Sequence, residues 1–240
     1  DEGLRAAGLT RPPGLQIGFP FYGDLLDSLI EQLDTPLVAD VIERGMAKDD
    51  DEATFRGEFL EELATGAGLS KVDIEACYEG DTTQERGVMN WRWVHAILKA
   101  FDRSEKLGDI ALDKFTRDVY LYLTKATVQR HINAVVAPHL TDEPCVVVGH
   151  SLGSVVGYSV LRSTSIDVAR YVTVGSPLGV NAVKNRLPIV EMPRATSSWY
   201  NARDKHDVVA LHLLTNEHFS TTPTIENYNN VDNQTDNQHG

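Results

Sequence analysis

One serine stands between two glycines at a spacing that suits a catalytic nucleophile. The segment GHSLG occupies positions 149–153, so Gly149 and Gly153 lie two residues before and two residues after Ser151. A sharp turn from strand to helix needs such small neighbours. Its apex would hold the hydroxyl at a helix N-terminus, where free N–H groups favour developing negative charge. The pattern predicts a nucleophile at Ser151; the alternative is a serine in an ordinary loop.

A serine hydroxyl needs further groups before it can react. At its ordinary pKa it is a poor nucleophile, and a nearby base must take its proton. Histidine suits that role near neutral pH, and a carboxylate fixes the tautomer of the histidine and stabilises its cation. The candidates downstream of Ser151 are two aspartates, Asp204 and Asp207, and four histidines, His206, His212, His218 and His239.

Apolar patterns place Ser151 between a strand and a helix. Residues 146–148 are a β-branched run that predicts a buried strand, and the small residues from Gly153 onward suit a helix packed closely on a sheet. Further strands are predicted at 169–175, 198–203 and 224–231. Strands that alternate with helices indicate a mostly parallel α/β sheet. In such sheets the site lies beyond the carboxyl ends of the strands.

The region before this strand is mainly helical in pattern. Helices are predicted at 24–33, from the acidic run 49–52 onward, at 88–101 and at about 115–137, where Pro138 ends the last of them. The stretch from 36 to 112 exceeds what a βαβ crossover needs. It is either a helical insertion that caps the site or a set of helices that thickens one face of the sheet. Its acidic run has no ligand spacing typical of a metal site.

Several later motifs resemble those of one enzyme superfamily, the α/β-hydrolases, in its lipase and esterase-like branch. The nucleophile motif at 149–153 resembles the nucleophile elbow of that superfamily. The likeness continues through YVTVGSPLG at 171–179, WYNARDKHDVV at 199–209, NVDN at 230–233 and His239, with a weaker echo in FPFYGD at 19–24. It covers most of the chain from Cys145 to His239.

The resemblance implies a fold and a catalytic triad. Residues 1–240 would form a single α/β-hydrolase domain, with a mostly parallel sheet, flanking helices and the helical insertion before the elbow. The family order of serine, acid and histidine implies Ser151, Asp207 and His239, with Asp204 as the alternative acid. The backbone N–H of Leu152 would be the first oxyanion donor. No metal or organic cofactor is implied.

The remaining histidines fit the implied base less well. His206 is too close in sequence to the acid to face it from another loop, while His212 and His218 come from a segment between two strands. His239 follows the last predicted strand, where relatives carry the catalytic histidine. His150 lies inside the elbow, and we interpret it as a packing and hydrogen-bonding residue.

One expected family feature is missing. Relatives begin with an apolar strand that ends in His-Gly, and the loop after it supplies the second oxyanion donor. Here the first strand candidate is 15–21, which contains Pro20 and no His-Gly. Either the sequence lacks that first strand, or the resemblance fails at this point.

Composition narrows the function classes. The chain has 240 residues and a formal net charge of −13, so it repels phosphate backbones and we expect no nucleic-acid partner. No apolar run approaches the about 18 residues of a membrane span. Cys77 and Cys145 are expected to be free thiols. A cytoplasmic location is expected, with secretion as the alternative because the sequence begins at Asp1 rather than Met. The composition does not indicate an oligomeric state.

The sequence therefore predicts a serine hydrolase that cleaves carboxylic esters of small molecules or lipids through an acyl-enzyme. The same triad would also serve acyl transfer, thioester cleavage or amide cleavage. A third hypothesis is a binding module that keeps the hydrolase scaffold without turnover.

Overall fold

Four parallel strands in the C-terminal part form one sheet. In the computed structural model, which describes residues 4–5, 7–33, 35–44, 50–78, 91–104, 109–194 and 196–232, these strands follow the sheet order β1-β2-β3-β4. They are β1 (Cys145–His150), β2 (Val168–Val174), β3 (Trp199–Ala202) and β4 (Glu226–Tyr228). The predicted α/β class with a parallel sheet is confirmed, and the four predicted strands agree with the observed ones to within a few residues at each end.

Helices precede the sheet and alternate with its first strands. In chain order they are α1 (Gly23–Leu33), α2 (Val38–Arg44), α3 (Asp50–Gly66), α4 (Lys71–Glu75), α5 (Trp91–Arg103), α6 (Asp109–Thr124), α7 (Ala126–Val136), α8 (Leu152–Ser163) and α9 (Asn181–Lys184). Short 3₁₀ turns follow α7 and β2. Among the residues described, none of the helices has both the length and the apolar character that a bilayer crossing requires.

The predicted apolar faces of the early helices are confirmed. Phe55, Phe59, Leu60 and Leu63 of α3 are all fully buried, and α3 packs against α5, α6 and α9. The acidic run does begin this helix, at Asp50, where carboxylates suit the positive end of the helix dipole.

The sheet face under α8 contains an aromatic cluster. Register pairs Val147 with Tyr171 and Tyr171 with Trp199, so these side chains share one face. Tyr171 and Trp199 are buried with ring centroids 4.9 Å apart, and Tyr158 of α8 packs 5.6 Å from Trp199. Burial of such large rings stabilises the docking of α8 on the strands, which fixes the position of the turn before it.

The opposite face of β1 is not buried as predicted. Val146 is 57 % exposed and Val148 is 65 % exposed, while Val147 and Gly149 point toward α8 because alternate residues face opposite sides. The expectation of a fully buried strand is therefore wrong at these two positions. In the described part of the chain β1 lies at the sheet edge, and this face of it has little cover. Cys145 is half-buried and Cys77 buried, and both are free thiols as expected.

Two predicted elements differ from the structure. Residues 15–21 form no strand: Ile17 is 68 % exposed and Phe19 is 83 % exposed, because no strand among the described residues pairs with this Pro-containing segment. The single helix predicted over 115–137 is two helices with Lys125 in an extended conformation between them. The hydroxyl of Tyr122 donates to Asn133 Oδ1 at 2.7 Å, since α6 and α7 pack against each other.

Candidate active site

The backbone of Ser151 has the strained conformation predicted for a nucleophile turn. Its φ is +51° and its ψ is −126°, and no other non-glycine residue in the described part of the chain has a positive φ. A conformation of this kind costs about 1–3 kcal/mol and persists only where the surroundings impose it. Here the Ser151 N–H donates to Val174 O of the neighbouring strand at 3.1 Å. The residue thus lies between the end of β1 and the start of α8.

The two glycines of the motif have different neighbours. A Cβ on Gly149 would lie 2.7 Å from Gly153 O and 2.7 Å from Ser154 Cα, both backbone atoms that cannot move aside. A Cβ on Gly153 would meet only the Tyr22 hydroxyl, at 3.5 Å, an ordinary contact distance. The prediction that both positions must lack bulk is therefore confirmed for Gly149 and is wrong for Gly153. The close contact between strand and helix depends on the first glycine alone.

Hydroxyl groups under the turn connect it to the next loop. Ser154 Oγ donates to Ser151 O at 2.6 Å and lies 2.7 Å from Ser176 Oγ. Ser176 Oγ also accepts from the N–H of Leu178, and the hydroxyl of Tyr171 donates to Ser154 O. Sequence reasoning missed this network, whose only signal was the Ser-Pro-Leu-Gly segment after β2.

Asp207 lies beside the turn, as predicted for the acid. It is buried, and its Oδ1 accepts from the N–H groups of Val209 at 2.8 Å and Ala210 at 3.1 Å. Its Oδ2 is 3.2 Å from the position that a Cβ on Gly175 would take. Gly175 follows Val174, whose carbonyl accepts the Ser151 N–H. The Asp207 carboxylate therefore lies at the carboxyl end of β2, next to the turn that carries Ser151.

Asp204, the alternative acid, has a different set of partners. Its Oδ1 accepts from the His206 N–H at 2.8 Å and lies 3.2 Å from His206 Nδ1. The His206 side chain is 58 % exposed. These local contacts within the loop favour Asp207 over Asp204 as the carboxylate nearest the turn.

The other histidines are distributed as follows. His150 Nε2 lies 3.3 Å from the same Cβ position on Gly175, so its ring and the Asp207 carboxylate approach one glycine. His212 and His218 stack with ring centroids 3.9 Å apart. Burial first, and then the neighbouring His212, lower the pKa of His218. His239, the predicted base, lies outside the described residues.

Arg203 holds the loop that carries Asp207. Its Nη1 donates to Ala210 O at 2.6 Å and also to Leu211 O, and its Nε donates to Asn229 Oδ1 at 2.6 Å. Burial lowers the pKa of Arg203, and the charges of Asp207 and Asp204 oppose that shift. The sequence placed Arg203 at the end of a strand but gave no sign of this clamp.

Helix α3 contacts the segments that follow β2 and β3. Glu62 accepts from the N–H of Asn181 at 2.9 Å, and its Oε1 lies 2.6 Å from His212 Nε2. Burial raises the pKa of Glu62, but the hydrogen bonds from His212 and Asn181 outweigh it and lower that pKa overall. A Cβ on Gly66 would overlap the Leu211 side chain. The end of α3 thus packs against both loops beyond the carboxyl edge of the sheet.

Helix α8 supplies the backbone donor predicted for an oxyanion. Leu152 is its first residue, and the first N–H groups of a helix have no partner within that helix. No group of three or more His, Cys, Asp or Glu among the described residues is arranged to hold a metal ion.

Comparisons with known proteins find no match to this chain, either among family models, curated proteins or solved structures. The chemistry must therefore be argued from the residues and contacts given above.

Proposed function

We propose that this protein is a serine hydrolase with an α/β-hydrolase fold that cleaves carboxylic esters through an acyl-enzyme. The observation that carries the proposal is the φ of +51° at Ser151, on a turn between a parallel strand and a helix. A non-glycine residue rarely keeps that conformation without a functional reason. The nearby carboxylate of Asp207 supports the same interpretation.

In the proposed reaction, Ser151 Oγ attacks the ester carbonyl carbon and the carbonyl π electrons move to oxygen. The proton of Ser151 passes to an imidazole, which we assign to His239. The Leu152 N–H stabilises the oxyanion at the positive end of α8. Collapse of this intermediate expels the alcohol, which takes the proton from the imidazole, and water then hydrolyses the acyl-enzyme in the same way.

Asp207 is the proposed partner of the imidazole. Its Oδ1 is fixed by two backbone N–H groups, so the carboxylate has a defined orientation beside Gly175. A fixed carboxylate of this kind holds the imidazole tautomer and stabilises its cation during the reaction. This chemistry requires no metal and no organic cofactor.

We propose small-molecule or lipid esters as the substrate class and α3 as a cap over the site. The net charge of −13 disfavours anionic esters. The contacts of Glu62 with Asn181 and His212, and of Gly66 with Leu211, support a cap position for α3.

Turnover of p-nitrophenyl butyrate by Ser151→Ala tests the proposal. We expect a loss of at least about 10³-fold in kcat because the nucleophile is removed. Ser163→Ala is the matched control, since Ser163 lies at the other end of α8 and bonds to Ser159 O and Val160 O. It should keep full activity. Full turnover by Ser151→Ala would contradict the proposal.

A panel of acceptors separates the related reactions. Competing alcohols, thiols and amines are added to the wild-type enzyme, and the products are identified. Acyl transfer to an added alcohol at the expense of hydrolysis would identify a transferase on the same site. An inert wild-type protein would instead support a binding module.

A further inference from the structure

The hydroxyl of Tyr22 lies beside the first turn of α8. It is 3.5 Å from the position that a Cβ on Gly153 would take, and Gly153 directly follows Leu152, the proposed oxyanion donor. The carbonyl of Tyr22 accepts from the Leu26 N–H at 2.9 Å, so the start of α1 anchors its backbone. A side chain from the far N-terminal part of the chain is thus held against the proposed site.

Among the described residues, no hydrogen-bond partner exists for the Tyr22 hydroxyl. Three other tyrosines near the elbow each donate a hydrogen bond: Tyr122 to Asn133 Oδ1, Tyr158 to Ile189 O and Glu191 O, and Tyr171 to Ser154 O. Polar groups that are largely buried are usually paired. The unpaired donor of Tyr22 is therefore available to a group that enters the site.

The Tyr22 hydroxyl also keeps its proton at working pH. Burial raises the pKa of Tyr22 to about 12, because the charged phenolate loses its hydration there. At neutral pH the group is a neutral O–H donor, and it does not compete with the imidazole for the proton of Ser151.

We propose that the Tyr22 O–H is the second donor of the oxyanion hole, a role that rests on the proposed function. When the bond between Ser151 Oγ and the carbonyl carbon forms, the π electrons move to the carbonyl oxygen. The Leu152 N–H and the Tyr22 O–H then donate hydrogen bonds to that oxygen. Tyr22 keeps its proton throughout, and the proton of Ser151 passes through the imidazole to the leaving alcohol.

This assignment supplies the donor that the missing His-Gly segment would otherwise provide. A donor aimed at the oxyanion acts mainly in the transition state, so its removal lowers kcat more than it changes substrate binding. A backbone N–H from the segment before α1 is the competing explanation. Substitution by phenylalanine separates the two, since it removes only the hydroxyl and leaves the backbone in place.

The test compares wild type, Tyr22→Phe and Tyr122→Phe on p-nitrophenyl butyrate. For Tyr22→Phe we expect kcat to fall about 10²–10³-fold, the range for loss of one oxyanion donor. KM should stay within about twofold of wild type, and the urea midpoint of unfolding should not change. Tyr122→Phe is the matched control: it loses the bond to Asn133, so its urea midpoint should fall while kcat stays the same.

A second readout distinguishes a catalytic from a structural role. Butylboronic acid forms a tetrahedral adduct with a serine nucleophile, so its affinity should weaken in Tyr22→Phe in proportion to kcat/KM. Wild-type kcat in Tyr22→Phe, or an unchanged boronate affinity, would overturn the proposal for Tyr22 alone. If wild type itself neither hydrolyses the ester nor binds the boronate, the proposed function fails together with it.

Discussion

The elbow and the acid loop lie side by side but are held in different ways. The elbow is fixed by the backbone: Gly149 leaves no room for a Cβ against Gly153 and Ser154, and the Ser151 N–H bonds to the neighbouring strand. The loop that carries Asp207 is fixed by side chains from distant positions. Arg203 clamps its end, and Glu62 reaches His212 across 150 positions of sequence. Backbone constraints leave a local motif, whereas side-chain clamps leave no recognisable pattern.

The largest expected effect separates the two glycines of the elbow. Gly149→Ala should lower the free energy of unfolding by about 3 kcal/mol, because the new Cβ overlaps fixed backbone atoms. Gly153→Ala meets only the Tyr22 hydroxyl and replaces a helical glycine, which by itself gains up to about 1 kcal/mol. Urea unfolding of both variants checks this. Equal midpoints would show that the elbow is not held as described.

The next effect concerns the acid loop. Arg203→Met removes three hydrogen bonds from a guanidinium to oxygen atoms of the loop and of Asn229. We expect a loss of about 2 kcal/mol in unfolding free energy, together with a lower kcat because Asp207 loses its fixed position. Stopped turnover and urea unfolding are measured on the same preparations.

Arg170→Met is the control for that prediction. Arg170 is about half exposed and faces Glu226 at 3.8 Å, so its removal should change stability by less than about 0.5 kcal/mol. If Arg203→Met were as stable and as active as Arg170→Met, the clamp would have no role in holding the loop.

The smallest effect is the pH dependence of the contact between α3 and the acid loop. The pKa of Glu62 in the folded protein is lowered, so its stabilising contribution is present above the ordinary glutamate value of 4.5 and is lost as the pH falls through the folded value. Since Glu62 is partly exposed, the contribution should be below about 1 kcal/mol. Glu62→Gln should flatten the stability loss below pH 4.5.

Glu58→Gln on the same helix is the matched variant, since Glu58 is exposed. It should keep the wild-type slope of stability between pH 5 and pH 3. A parallel loss of slope in both variants would mean that general surface charge, and not the contact of Glu62 with His212, produces the pH dependence.

The features that sequence could predict were those with a short repeat or a local motif. The strand, turn and helix around Ser151 follow from adjacent residues, and the buried face of α3 follows from the spacing of Phe55, Phe59 and Leu63. The break at Lys125 was missed because the apolar spacing continues across it. The alternate exposure of β1 was missed because a β-branched run does not show whether a strand lies at an edge.

The parts of the site that sequence could not predict depend on contacts between distant segments. Nothing near Tyr22 indicates that its hydroxyl lies against Gly153, and nothing near Glu62 indicates its bond to His212. Asp207 was favoured from its place after a strand, and its carboxylate does lie beside the turn. The assignment of His239 as the base stays a prediction.

The most direct test of the central claim is labelling of the native protein with a fluorophosphonate, followed by mass-spectrometric mapping of the adduct. The strained turn should present Ser151 as a nucleophile, so we predict one adduct, on Ser151, that disappears in Ser151→Ala and in urea-unfolded protein. No adduct on the native wild-type protein, or equal labelling of Ser151→Ala, would contradict the account.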